Sequence, residues 1–170
     1  YHEAFHAYLG TFVFPRRETE VPLWLNEGLA QVFETARVEL GELRVGLPDP
    51  ERLKAAQVAL EKGELPSLRR LLRSGAKEFL VGHGSDRLTS DRTYLASWAL
   101  THYMAFERRQ LSGTSLETYV RSLARETDPL DAFRSLCGEP LDDLERKFHR
   151  YIQKLRPDGR LATAEKLESR

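Results

Sequence analysis

The chain has 170 residues, enough for one domain with a real hydrophobic core. Lysine plus arginine number 26 and aspartate plus glutamate number 26, so the formal net charge is zero, which argues against a nucleic-acid-binding surface or a general attraction to anionic membranes. No run approaches the roughly 18–20 apolar residues that span a bilayer, and Cys137, the single cysteine, permits neither an intrachain disulfide nor a thiolate metal cluster.

The first element expected is a helix over 1–9, with Phe5, Tyr8 and Leu9 apolar. It is already under way at Tyr1 with no capping residue before it, which predicts an N-terminally truncated chain or an excised domain. Gly10 and Pro15 mark a loop over 10–20. A second helix starts near Pro22 and runs through VPLWLNEGLAQVFETA. Leu25, Leu29, Val32, Phe33 and Ala36 suit its core face, while Glu27, Gln31 and Glu34 lie on another side. Gly28 inside it costs about 1 kcal/mol relative to alanine, so a close packing partner is expected there. RVELGELRVG reads as a small hairpin, Val38 and Leu40 against Leu43 and Val45, turning at Gly41-Glu42 in a type II′ turn.

Asp49-Pro50 predicts a capped helix to about Lys62, stopped by Gly63. Ser67 caps a short run, LRRLLR. GAKEFLVGHGSDRL, with three glycines, reads as an irregular connection. Ser90 is expected to cap the longest helix, about Asp91 to Arg109, with Leu95, Trp98, Ala99, His102 and Phe106 on one face. Shorter helices follow near Ser115–Arg125, near Pro129–Leu136 (capped by Asp128, stopped by Gly138) and near Leu141–Leu155. The fold class expected is mainly α with a minor β-hairpin. Residues 1–156 form one domain, and 157–170 form a polar tail with the composition of a disordered segment.

His2, Glu3 and His6 form H-E-x-x-H. On a helix, side chains four apart project within about 40° of each other, so both imidazoles can point at one ion. Zinc takes neutral imidazole nitrogen and favours four ligands. Glu3, rotated about 100° from His2, can reach a metal-bound water as a general base without being a ligand. Two histidines leave such a site one protein ligand short. Glu27, on the next helix and twenty residues after His6, is the candidate third ligand, with water completing the site.

H-E-x-x-H, a spacer of about twenty residues, then W-L-N-E-G resembles the gluzincin metallopeptidases. Leu29 stands where the aminopeptidase branch has an aromatic residue. Over its whole length the chain more closely resembles a bacterial gluzincin-like domain family of unknown function, through W-L-N-E-G-L-A and the later Y-L-A-S-W-A-L-T-H-Y-M. The specific match covers 1–36 and about 91–105. The resemblance implies one Zn2+ ion held by His2, His6 and Glu27, with Glu3 as base. It also implies a peptide or protein substrate and a zincin-like architecture whose upstream β-sheet lobe is missing here. Similar peptidases place a tyrosine at a helix start a comparable distance after the glutamate ligand. That makes Tyr94 the candidate oxyanion group, the alternative being a core tyrosine packed on Trp98. His83, in a glycine-rich loop, is the second oxyanion candidate, against a solvated loop histidine. Ligand histidines usually donate their second ring proton to an acceptor. Glu34 and Gln31 (through its amide oxygen) are the candidates for that support, against plain surface roles, and Asn26, also expected behind the ligands, fixes the helix or lines the cleft.

Three readings therefore follow from the sequence. The leading one is a zinc-dependent peptidase core. The second is a degenerate zincin fold serving as an interaction module, against which an intact Glu3 counts. The third is a helical partner-binding domain with an accidental motif, which predicts no stoichiometric metal.

Overall fold

The computed structural model describes residues 2–13, 21–80, 85–111, 113–125 and 127–162, with only the backbone of Phe12, Ser85 and Asp86. The described part is mainly helical with one two-stranded antiparallel hairpin. In chain order the elements are α1 (His2–Tyr8), α2 (Leu23–Glu34), β1 (Arg37–Glu39), β2 (Glu42–Arg44), α3 (Pro50–Glu61), α4 (Leu68–Leu72) and α5 (Ala76–Phe79). Then come α6 (Ser85–His102), α7 (Thr114–Ala124), α8 (Pro129–Cys137) and α9 (Leu141–Lys154). No described helix is long and apolar enough to cross a membrane.

Helix α2 packs along α6, and Gly28 is the reason they come so close. A Cβ built on Gly28 would stand 2.1 Å from the Thr101 hydroxyl oxygen and 2.5 Å from the Ser97 carbonyl. The second of these is main chain and cannot swing away. Trp24 and Leu25 of α2 and Trp98 and Leu100 of α6 are among the largest fully buried side chains. The Trp24 indole N–H donates to the Tyr119 hydroxyl at 3.3 Å, and its ring meets Phe133 edge to face at 5.6 Å. So α7 and α8 pack against Trp24 at the start of α2. Helix α9 packs against Tyr103, just beyond α6. Gln57 of α3 donates to the Ile152 and Leu155 carbonyls at the end of α9. His102 joins the Tyr151 hydroxyl at 2.8 Å to the Gly46 carbonyl at 2.9 Å. Burial lowers the pKa of His102, with the Gly46 bond opposing, so this histidine is a structural member of the core.

Local signals placed most helix ends. Asp49 accepts from the Arg52 N–H at 2.8 Å, Ser67 from Arg70 and Asp128 from Leu130, and Pro50 and Pro129 open their helices. Gly138 ends α8 in the left-handed region, at φ +71°.

Four expectations are corrected. Ser90 is not a cap: α6 begins at Ser85, so Ser90 is interior and buried, and its hydroxyl has no partner among the described residues. The same helix ends at His102 and continues as a π-helical turn over Tyr103–Glu107. Residues 10–13, expected as loop, instead continue α1 in another π-helical turn over Leu9–Val13, and Leu9 is buried in the core. The hairpin turns at Leu40-Gly41 and pairs Val38 with Leu43. Positive φ at both turn residues (+53° and +83°) is the I′ pattern, whose twist matches the strands. This register sets two apolar side chains opposite each other and lets Arg44 reach Glu39 at 3.3 Å.

The connection expected to be irregular contains the short helix α5, with residues 81–84 outside the described set. Residues 157–162 of the expected tail turn back, Leu155 bridging Leu161 and the Ala162 N–H donating to Lys154.

Substituting Gly28 tests the central contact. Gly28→Ala gains about 1 kcal/mol of helix propensity, yet it must overpack against the Ser97 carbonyl. Urea unfolding is expected to show a net loss of about 1–3 kcal/mol. An unchanged or raised midpoint would contradict the packing described.

Candidate metal centre

Helix α1 has no buried residue of its own. It is held on α2 by Phe5, whose ring stacks on Phe33 at 4.4 Å and 21°, and by Leu9 just beyond its end. The two helices run in opposite directions: His2, at the start of α1, meets Glu34 near the end of α2, and His6 meets Asn26 near its start. Two histidines four residues apart on one helix thus face partners eight positions apart on the other.

Three side chains converge between them. His2 Nε2 lies 3.4 Å from Glu27 Oε2, and His6 Nε2 lies 3.6 Å from Glu27 Oε1. The imidazole rings stand 4.6 Å apart at 79°. One donor atom from each of His2, His6 and Glu27 falls within 4.8 Å of the others, the one such cluster among the described residues. All three side chains are partly buried.

The hydrogen bonds on the far side of each ring decide what faces inward. His2 Nδ1 lies 2.6 Å from Glu34 Oε1 and His6 Nδ1 lies 3.0 Å from Asn26 Oδ1. Both partner oxygens are acceptors, so these partners assign the ring proton to Nδ1 in each neutral imidazole. The lone pair of each Nε2 is then aimed at a carboxylate. Two imidazole lone pairs and a carboxylate in contact repel until a cation shares them. Bonds of about 2.0–2.1 Å in a tetrahedron set neighbouring donor atoms about 3.3 Å apart. The observed 3.4 and 3.6 Å, each to a different Glu27 oxygen, lie near that spacing, and two imidazoles with a carboxylate are donors of the chemical type that zinc takes.

The supporting residues expected from sequence separate into different roles. Asn26 holds the His6 ring and Glu34 the His2 ring. Gln31 holds neither: its amide nitrogen donates to the Glu27 carbonyl at 3.2 Å and the Tyr94 carbonyl at 3.1 Å. It is buried and ties the main chain at the site to α6. Tyr94 is half-buried, edge-on to Phe79 at 5.1 Å, with its hydroxyl donating to the Phe79 carbonyl at 3.4 Å, the long limit of a hydrogen bond. Burial raises its pKa, and the negative charges of Glu27 and then Glu3 raise it further. Tyr94 therefore lies within electrostatic reach of the site and stays a protonated donor. Glu3 is exposed on α1 beside His2. His83 lies outside the described residues.

One participant has no signal in the sequence. Arg52 of α3 places Nη2 2.7 Å from Glu34 Oε2, and its Nη1 donates to the Gln31 carbonyl at 3.1 Å. Nothing local to Arg52 points to His2; α3 packs on α6, and from there the Arg52 side chain reaches across to α2. Burial pushes the Glu34 pKa up, but hydrogen bonds from Arg52 and His2 outweigh it and hold the carboxyl below its ordinary value of 4.5.

With this geometry in hand, comparison with known proteins yields a family. The chain belongs to the DUF1570 family, described as a protein of unknown function, whose model matches residues 1–131. No curated protein and no solved structure matches it.

The depressed Glu34 carboxyl has a pH consequence. Its folded pKa lies below its unfolded one, so its contribution to stability is present above pH 4.5 and is lost as pH falls through the folded value. In chelator-treated protein, the stability difference between wild type and Glu34→Gln is expected to shrink as pH falls below 4.5. A difference that stays flat down to pH 3 would show that Glu34 carries no folded-state pairing.

Proposed function

We propose that this chain is the metal-binding helical portion of a zinc-dependent peptidase of gluzincin type, with a zincin-like architecture. The observation that carries the reading is the convergence of His2 Nε2, His6 Nε2 and a Glu27 oxygen, on two antiparallel helices, beside the glutamate of H-E-x-x-H. The third ligand comes from a different helix, so the cluster does not follow from the spacing of the first motif alone.

His2, His6 and Glu27 would hold one Zn2+. When bound, the ion polarises a scissile carbonyl and lowers the pKa of a coordinated water to about 7. The residues of the chain do the rest. Glu34 and Asn26 fix the two imidazoles in the tautomer that presents Nε2. Glu3, exposed and free of the ligand set, takes the proton from the attacking water on its carboxylate and passes it to the leaving amine. Tyr94 keeps its hydroxyl proton, and its bond to the Phe79 carbonyl is long enough to be exchanged for one to a developing oxyanion. The substrate class is a peptide or protein.

Two observations weigh against a degenerate interaction module. Every ligand position is filled, and Glu3, which a binding site does not need, is present. An accidental motif has no reason to find Glu27, Asn26 and Glu34 each in register with the two histidines.

The test pairs binding with turnover. Folded, zinc-supplemented protein is expected to retain close to one zinc per chain by mass spectrometry, and Glu27→Ala to lose it. Glu3→Gln should keep its zinc and lose hydrolysis of a fluorogenic peptide library by roughly 100-fold or more. Zinc retention with no chelator-sensitive hydrolysis in either form would favour the interaction module. No zinc in folded wild-type protein would remove the metal centre altogether.

A further inference from the structure

The Glu34 carboxylate is gripped at both oxygens by different elements. Oε1 accepts from His2 Nδ1 at 2.6 Å and Oε2 from Arg52 Nη2 at 2.7 Å. A carboxylate held at one oxygen turns freely about its last torsion, which is broad for such sp³–sp² bonds. Held at two, it has one orientation, and so does the imidazole bonded to it.

Arg52 is itself immobilised. Its Nη1 donates to the Gln31 carbonyl at 3.1 Å, so the planar fork is bound at two points of α2. Its main chain sits in the first turn of α3, where its N–H is capped by Asp49 at 2.8 Å, one residue before Pro50. The side chains of Arg52 and Glu34 are 25% and 32% exposed. An ion pair still open to solvent on both sides contributes little to global stability, so its value lies in geometry.

We propose that Arg52 is a positioning residue for the metal-binding imidazole of His2, acting through Glu34. This rests on the reading of His2, His6 and Glu27 as a zinc site. It extends that site from α1 and α2 to a third helix outside the H-E-x-x-H and W-L-N-E-G motifs. The chain of contacts is Gln31 carbonyl and Glu34 carboxylate on one guanidinium, then His2, then the metal. The competing role for Arg52 is a plain fold contact between α3 and α2.

A double-mutant cycle on Zn2+ affinity separates the two roles. Affinity is read by competition with a chromophoric chelator, after thermal melting has shown each variant folded. Groups behind a ligand histidine typically change metal affinity 10–100-fold. Arg52, one bond further out, is expected to weaken Zn2+ binding roughly 3- to 10-fold on Arg52→Ala. In a Glu34→Ala background the same substitution should add less than about twofold, because its route is gone. Arg52→Lys should recover part of the loss and replaces Arg52→Ala in the cycle if that variant does not fold. The visible absorption of the Co2+-loaded protein should shift with Arg52→Ala and not with a surface arginine control, Arg121→Ala.

Wild-type affinity in Arg52→Ala would overturn the proposal. An equal loss in both backgrounds would overturn it too, since Arg52 would then act through the fold. Folded wild-type protein that binds no Zn2+ fails differently: it removes the metal centre, and this inference with it.

Discussion

At Gly28 the backbone of α2 rests against the Thr101 side chain and the Ser97 carbonyl of α6, closer than any side chain would allow. A helix has one angular spacing, about 100° per residue, so pinning one face sets all the others. Glu27 and Glu34 then stand together, about 100–120° around α2 from the buried face. Gln31 falls between, where its amide bonds the Tyr94 carbonyl of α6. The acidic side chains of α2 are therefore aimed by a close backbone contact that involves none of them.

Helix α1 is seated on that aimed surface by few contacts, chiefly the Phe5–Phe33 stack and the buried Leu9. Its polar partners do more to set its position. His2 meets Glu34 and His6 meets Asn26, two turns of α2 apart, so the helix can neither slide nor rotate without breaking one of the bonds. The two pairs leave both Nε2 atoms facing Glu27. Arg52 then braces Glu34 from α3, and α3 is tied in turn to α9 by Gln57. The proposed metal centre is thus only partly buried, yet linked through α3 to the end of α9.

Features legible in the sequence share a property: they depend on residues close in the chain. Asp49, Ser67 and Asp128 cap helices by bonding N–H groups two or three residues on. The need for a close neighbour at Gly28 was readable because glycine is costly inside a helix, but Thr101 and Ser97 were not nameable. Ser90 misled because a serine before an apolar periodic run has the chemistry of a cap, whereas tertiary packing buries it inside a longer α6. The hairpin register slipped because every side chain of β1 and β2 is exposed, so no buried face selects one pairing. The turn backbone at Leu40-Gly41 selected it instead.

The sequence by itself determined a mainly helical chain, its capped helix starts, and the residues capable of metal chemistry: His2, Glu3 and His6 at helical spacing, with Glu27 on the following helix. Those depend on periodicity and on which side chains can donate a lone pair. Only the tertiary structure decided that α1 runs antiparallel to α2, which oxygen of Glu27 faces which histidine, and that Asn26 and Glu34, not Gln31, hold the rings. It alone brought in Arg52. The reason is physical: angular position along one helix is written in residue spacing. The register between two helices is the outcome of all their contacts together, and no short stretch encodes it.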